Sequence, residues 1–194
     1  MNVHHTFALG LLVTTLSAGP TLANSPDQYR ETQLGLYVDA QDAYALMQDD
    51  DSAVLIDVRD PIEIKFTGFA TPTDIHVPWL LADREHFNAE AQTWPMTQNT
   101  DFADQVRAQL EAQHVAEDDP IIVMCRSGST RSAPAADAIH EMGYSEVYSV
   151  TDGFEGSQLK DGDSAGVRAV SGWRNGGLPW SYNVDSDVAW QPEL

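Results

Sequence analysis

Pro120 is followed by four apolar residues, Ile121-Ile122-Val123-Met124, then by Cys125-Arg126-Ser127-Gly128-Ser129-Thr130-Arg131 and an alanine-rich stretch ending near Met142. A short, continuously apolar run after a turn signal reads as a strand covered on both faces, the kind found in parallel sheets. The stretch from Arg131 to Met142 reads as a helix stopped by Gly143 as its C′ residue. Strand, small-residue loop and helix in that order confine the chain to the α/β class. They also curl successive backbone N–H groups into a concave nest at a helix N-terminus, with Gly128 free to take a positive φ.

Cys125 is the only cysteine of the 194 residues and stands at the start of that nest. Positive potential there favours the thiolate, and Arg126 and Arg131 add fixed charge. Arg131 can also offer a bidentate fork to an oxyanion. A buried, inert cysteine at a strand end is the competing reading. Two arginines beside the sole cysteine of an otherwise acidic chain outweigh it.

Other segments fit the same class. Leu36-Tyr37-Val38 predicts a first strand, with Asp39 capping a helix through Met47. Val54-Leu55-Ile56 and Ile75-His76-Val77 predict strands, the second stopped by Pro78. Thr100 or Asp101 caps a helix carrying Phe102, Val106 and Leu110, and Val147 to Val150 forms a last strand before Asp152-Gly153. Residues 157–171 read as a Gly-, Ser- and Asp-rich loop. Asp161-Gly162-Asp163 is rejected as a calcium loop, because Ala165 and Gly172 stand where oxygen ligands belong. Gly172 to Trp180 is aromatic enough to pack back on the domain, and Tyr37, Trp173 and Trp180 read as packing residues.

The run Phe7 to Leu16 is too short to span a bilayer. Followed by Ser17-Ala18-Gly19-Pro20 and Thr21-Leu22-Ala23, it reads as a signal peptide over residues 1–23, although its n-region lacks Lys and Arg. Export to the periplasm or beyond is therefore expected, where cysteines usually pair. The net charge of −20 disfavours nucleic acid and anionic membranes as partners, and salt adaptation is a weaker account of it. The histidines show no ligand spacing and no second cysteine completes a zinc set, so no metal is expected. For His76 and Trp79, core packing is favoured over a place at a pocket mouth.

The stretch Ile121 to Phe154 resembles the active-site half of a rhodanese domain, and Leu55-Ile56-Asp57-Val58-Arg59 its upstream Asp-x-Arg motif. Gly68 to Pro78 resembles the loop ahead of the next strand. Gly153-Phe154-Glu155-Gly156 and Gly172 to Trp180 are similar to exported bacterial single-domain rhodaneses. The likeness covers residues 36–182, leaving 24–35 as a lead-in and 183–194 as a C-terminal tail. It implies a three-layer α/β fold, a central parallel sheet with helices on both faces. It also implies a sulfurtransferase needing no cofactor, in which the Cys125 thiolate attacks the outer sulfur of a donor such as thiosulfate. Arg126 and Arg131 would stabilise the departing sulfite. The loop of Ser127, Gly128, Ser129 and Thr130 would hold the persulfide until a thiol or a periplasmic acceptor protein removes it. Asp57 and Arg59 are supporting residues, with Arg59 expected to pair with Glu63 and brace the loop.

One departure bears on the substrate. Single-domain rhodaneses commonly read Cys-Arg-Ser-Gly-Asn-Arg-Ser, whereas here Thr130 intervenes and Arg131 lies six positions after Cys125. Such a Cys-x5-Arg loop resembles phosphatases and arsenate reductases of the same fold, whose wider nest takes a tetrahedral oxyanion. Met124, the Arg-Ser-Gly that follows Cys125, and export favour sulfur. A carrier or sensing module that holds sulfur without turnover is the remaining alternative.

Overall fold

The computed structural model describes residues 31–192. The chain runs β1 (Tyr37–Val38), α1 (Ala40–Asp49), β2 (Val54–Asp57), α2 (Pro61–Thr67), β3 (Phe69–Ala70), β4 (Ile75–His76), β5 (Leu80–Ala82), β6 (Met96–Gln98), α3 (Phe102–Ala112), β7 (Ile121–Met124), α4 (Ser132–His140), β8 (Val147–Val150) and β9 (Trp180–Ser181). Five strands form a wholly parallel sheet in the order β1-β8-β7-β2-β4. An antiparallel β3–β9 pair and a β5–β6 hairpin stand outside it.

Strand alternation sorts the core into two layers. Val54, Ile56, Ile121, Val123 and Val147 face Val106 and Leu110 of α3 and Ala135 and Ile139 of α4. Leu55, Ile122, Met124 and Val150 face the other way, against Ala40 and Ala43 of α1 and the fully buried Trp173 and Phe154. The sheet is therefore covered on both faces, and its strands are buried along their whole length. Trp173 confirms that the Gly172–Trp180 segment packs back, its Nε1 donating to the Pro179 carbonyl at 2.8 Å.

Local chemistry sets the helix ends. Asp39 accepts the Asp42 N–H at 2.9 Å and starts α1 as expected. Asp101 holds the N-cap position of α3 without a side-chain bond to the helix; Asn99 Oδ1 instead accepts the Asp101 N–H. The alanine-rich helix begins one residue later than expected, at Ser132, and ends at His140. Helix α2 has a capping box of Asp60 and Glu63 with Pro61 in its first turn. The expected signal peptide lies outside the described residues, and no described helix is long and apolar enough to cross a membrane.

His76 ties the C-terminal segment to the sheet. Its Nε2 lies 2.8 Å from the Arg59 carbonyl, and its Nδ1 accepts the Trp190 N–H at 3.2 Å. Trp190 also donates from Nε1 to Gln105 at 3.0 Å. Only a neutral ring can accept at Nδ1 while donating at Nε2. Burial lowers the His76 pKa below its ordinary 6.5, against the pull of the Asp57 carboxylate. The folded chain thus binds fewer protons than the unfolded chain just below pH 6.5, so stability rises with pH across that window. Acidification from neutral pH through about 6.5 and below is expected to lower the melting temperature of wild type. His76→Gln should lose that part of the slope. An identical pH profile in the variant would contradict the assignment.

Candidate active site

Cys125 continues the alternation of Ile121 and Val123, so its side chain joins the layer beneath α3 and α4. It sits just past the C-terminal end of the central strand, where open α/β sheets bind ligands. Ser132, the first residue of α4 and fully buried, places its Oγ 3.6 Å from the Cys125 Sγ. Burial pushes the Cys125 thiol up. The Arg131 charge, the Ser132 hydroxyl and the backbone N–H groups of Ser127 and Ser132 outweigh it, holding the thiol below its ordinary value.

The nest forms because the loop is bonded from behind. Phe154 N–H donates to the Cys125 carbonyl and Glu155 N–H to that of Arg126, each at 2.8 Å. With those carbonyls used, the N–H groups of residues 126–131 donate to no protein oxygen among the described residues. Gly128 has a φ of 72°, and a Cβ there would collide with the Thr151 carbonyl, so the loop lies directly on the end of β8. Ser127 and Ser129 bond each other through their hydroxyls at 2.9 Å. Thr130, the additional residue, is exposed, whereas Arg131 and Ser132 remain buried. The longer loop therefore bulges outward at Thr130.

Neither loop arginine stands free. Arg131 is held at both terminal nitrogens by Glu63, with Nη2 to Oε1 at 2.8 Å. Glu63 Oε2 also accepts the Asp60 N–H at 3.1 Å, so one carboxylate closes the α2 capping box and grips the loop. Burial acts to raise the Glu63 pKa, but its bonds to Arg131 win and hold it low. Arg126 pairs through Nε with Glu155, and with its side chain 43% exposed it is the loop cation open to solvent. Arg174 donates to the other oxygen of Glu155 at 3.0 Å.

The expected Arg59–Glu63 pair is not formed. Arg59 is fully buried and meets Asp57, with Nε 3.0 Å from each carboxylate oxygen and Nη2 2.6 Å from Oδ2. Its remaining donors reach Thr67 Oγ1 at 2.9 Å and the Gly68 carbonyl at 3.1 Å, and its guanidinium lies 4.0 Å over Phe154. The reason for the correction is local. Asp60 is the N-cap between the two residues, so Arg59 and Glu63 are not on one helix and their four-residue spacing does not align them. Asp57 and Arg59 brace the end of β2, and Glu63 is the residue that braces the loop.

Glu63 and Glu155 are the site residues that the sequence reading missed as partners of Arg131 and Arg126. The Asp60-Pro61-Ile62-Glu63 capping box signals the helix that carries the first, though not its pairing; the second carries no signal. His76 is core, and Trp79 packs edge-on against Phe102 at 4.9 Å, so neither lines the nest. A cavity of about 740 Å³ lies between α3 and residues 187–192; its lining includes His76, Asp101, Asp104 and Asp187 and none of the residues of the cysteine loop. A second, of about 620 Å³, adjoins the loop at Ser127 and Ser129.

Comparison with known proteins agrees with this fold. The family model described as Rhodanese-like domain matches residues 39–160. Uncharacterised proteins of Rickettsia conorii and Rickettsia montanensis are each 30% identical over 140 residues, covering 72% of this chain and 92% of theirs. A crystal structure of Rv0390 from M. tuberculosis is similar at 29% identity and a TM-score of 0.58, covering 80% of this chain and 99% of that one. With the parallel sheet, the two covering layers and the cysteine nest in place, the chain belongs to the rhodanese-like domain family.

Proposed function

We propose that the protein is a sulfurtransferase working through a Cys125 persulfide, with thiosulfate as a competent donor. The observation that carries the reading is the bidentate Glu63–Arg131 pair. A phosphate or arsenate dianion needs a free guanidinium fork over the nucleophile. Here the Glu63 carboxylate already fills that fork, so a tetrahedral dianion seated over Cys125 would face it. Thiosulfate instead puts only its outer sulfur in the nest and turns its charged sulfonate end toward the solvent-facing Arg126. Arg131 still favours the thiolate, and the backbone N–H groups remain to hold a singly charged sulfur.

The Cys125 thiolate attacks the outer sulfur of thiosulfate. A new S–S bond forms, the old one breaks, and sulfite departs with its electron pair past the solvent-facing Arg126. An acceptor thiolate then attacks the outer persulfide sulfur, regenerating the Cys125 thiolate. We place this chemistry outside the cytoplasm, with residues 1–23 as the export signal. Mature protein starting at residue 24 is the expected product of expression in a host with signal peptidase.

Incubation with thiosulfate is expected to add one sulfur atom to the wild type by intact mass, and none to Cys125→Ser. No adduct with any sulfane donor, while Cys125 remains open to alkylation, would overturn the reading. Cys125-dependent hydrolysis of an aryl phosphate faster than thiosulfate consumption would award the site to oxyanion chemistry instead.

A further inference from the structure

The cavity beside the loop has a charge unlike the rest of the molecule. Acidic residues outnumber basic ones 30 to 10 in the chain, yet this space is lined by Ser127, Ser129, Ser157, Lys160 and Arg168 with no carboxylate among them. Arg59, Arg126, Arg131 and Arg174 are each matched by an Asp or Glu. Among the described residues, Lys65, Arg84, Arg107, Lys160 and Arg168 have no carboxylate partner, and of these Lys160 and Arg168 are the two that line this space. Arg168 is pinned by a 2.6 Å bond from Nη1 to the Gly156 carbonyl, which leaves the rest of its fork unspent.

The wall that carries both cations is built rather than loose. Gln158 bridges Arg168, the Leu159 N–H donates to Val167 at 2.8 Å, and the Gly166 N–H returns to Leu159 at 2.9 Å. Its ends meet at Gly156 and Gly172, where a Cβ on Gly172 would strike the Gly156 nitrogen. The family match ends at residue 160, so Arg168 stands on a segment beyond it. At about 620 Å³ the space is of ordinary small-molecule size and far exceeds an inorganic sulfur anion.

We propose that this cavity is the acceptor subsite, seating the carboxylates of an anionic thiol of small-peptide size through Lys160 and Arg168. The inference rests on the sulfurtransferase reading. With its acid groups held there, the acceptor's thiolate attacks the outer sulfur of the Cys125 persulfide. The acceptor leaves as a persulfide, the bond between the two persulfide sulfurs breaks, and Cys125 returns to thiolate with no net oxidation or reduction.

Two measurements on the full chain test it, using Lys160→Gln and Lys160→Gln/Arg168→Gln. Lys160 makes no ion pair or side-chain hydrogen bond among the described residues, so the single variant leaves the fold intact. Calorimetry with S-methylglutathione, which is anionic and cannot react, should show binding to wild type and about tenfold weaker binding to the double variant, the scale of a lost charge-assisted contact. In single-turnover discharge of preloaded protein, the rate ratio of glutathione to 2-mercaptoethanol should fall about tenfold in the double variant and about threefold in Lys160→Gln, with the wild-type ratio falling as salt rises. Equal binding by all three proteins, or none by wild type, overturns the subsite. Normal loading with an unchanged discharge ratio overturns it while sparing the sulfurtransferase reading. Binding without any sulfur loading overturns that reading, and the acceptor role with it.

Discussion

Asp57→Asn is expected to destabilise the fold by about 3–5 kcal/mol, the usual cost of removing one partner from a buried ion pair. Asp57 and Arg59 are both fully buried, and asparagine cannot balance a guanidinium that has no route to water. Thr67 and Gly68 would still accept hydrogen bonds from Arg59, but they carry no charge. The double substitution Asp57→Asn/Arg59→Met should recover part of the loss, because an apolar stem removes the unmatched charge and can still pack on Phe154. Urea unfolding of the three proteins measures both quantities. A single-variant cost under about 1 kcal/mol would mean that the pair is hydrated in solution.

The second large effect falls on Glu63→Gln. Glutamine keeps the capping-box geometry at the third helical position, so α2 should survive. What it removes is the charge that balances Arg131, at an expected cost of about 3 kcal/mol. The same change should alter Cys125. Arg131 already acts to lower that thiol, and without the opposing carboxylate its field on the sulfur is stronger. The pH midpoint of iodoacetamide alkylation should therefore move below that of wild type. Inorganic phosphate should now slow alkylation in the variant, because the fork is open, and leave wild type unaffected. An unchanged midpoint together with no protection by phosphate would show that Glu63 does not govern the loop.

Some of this was readable in the chain and some was not, for physical reasons. The strands Val54–Asp57, Ile121–Met124 and Val147–Val150 are buried throughout, so mostly apolar runs announce them, unbroken in Ile121–Met124 and interrupted elsewhere only by Asp57 and Ser149. Cys125 and its loop were legible because strand, nest and helix follow one another within a few residues. The β5–β6 hairpin was not, since its strands are half-buried and exposed and carry no apolar alternation. Two-residue strands such as β3 and β9 are too short to show a period. Charge pairing was the least legible level. Glu63 and Arg131 lie 68 residues apart, and Arg126 and Glu155 lie 29 apart, so only the fold brings them together. The near spacing of Arg59 and Glu63 pointed to a pair that the helix boundary at Asp60 forbids. The signal that would have found α2 was present in Asp60-Pro61-Ile62-Glu63, but nothing in it points to Arg131.

That a single carboxylate serves both the first turn of α2 and the fork of Arg131 has a consequence for transplantation. A protein engineer who moves residues 125–131 onto another strand and helix would carry over the sulfur but not the setting of its acidity. The smallest portable unit is three separate pieces of chain, the loop through Ser132, residues 60–63 and the Phe154-Glu155 backing, and a host must offer all three at the right distance. By the same logic the loop and residues 60–63 are expected to drift together in sequence, since a change in either alone leaves the other's charge stranded.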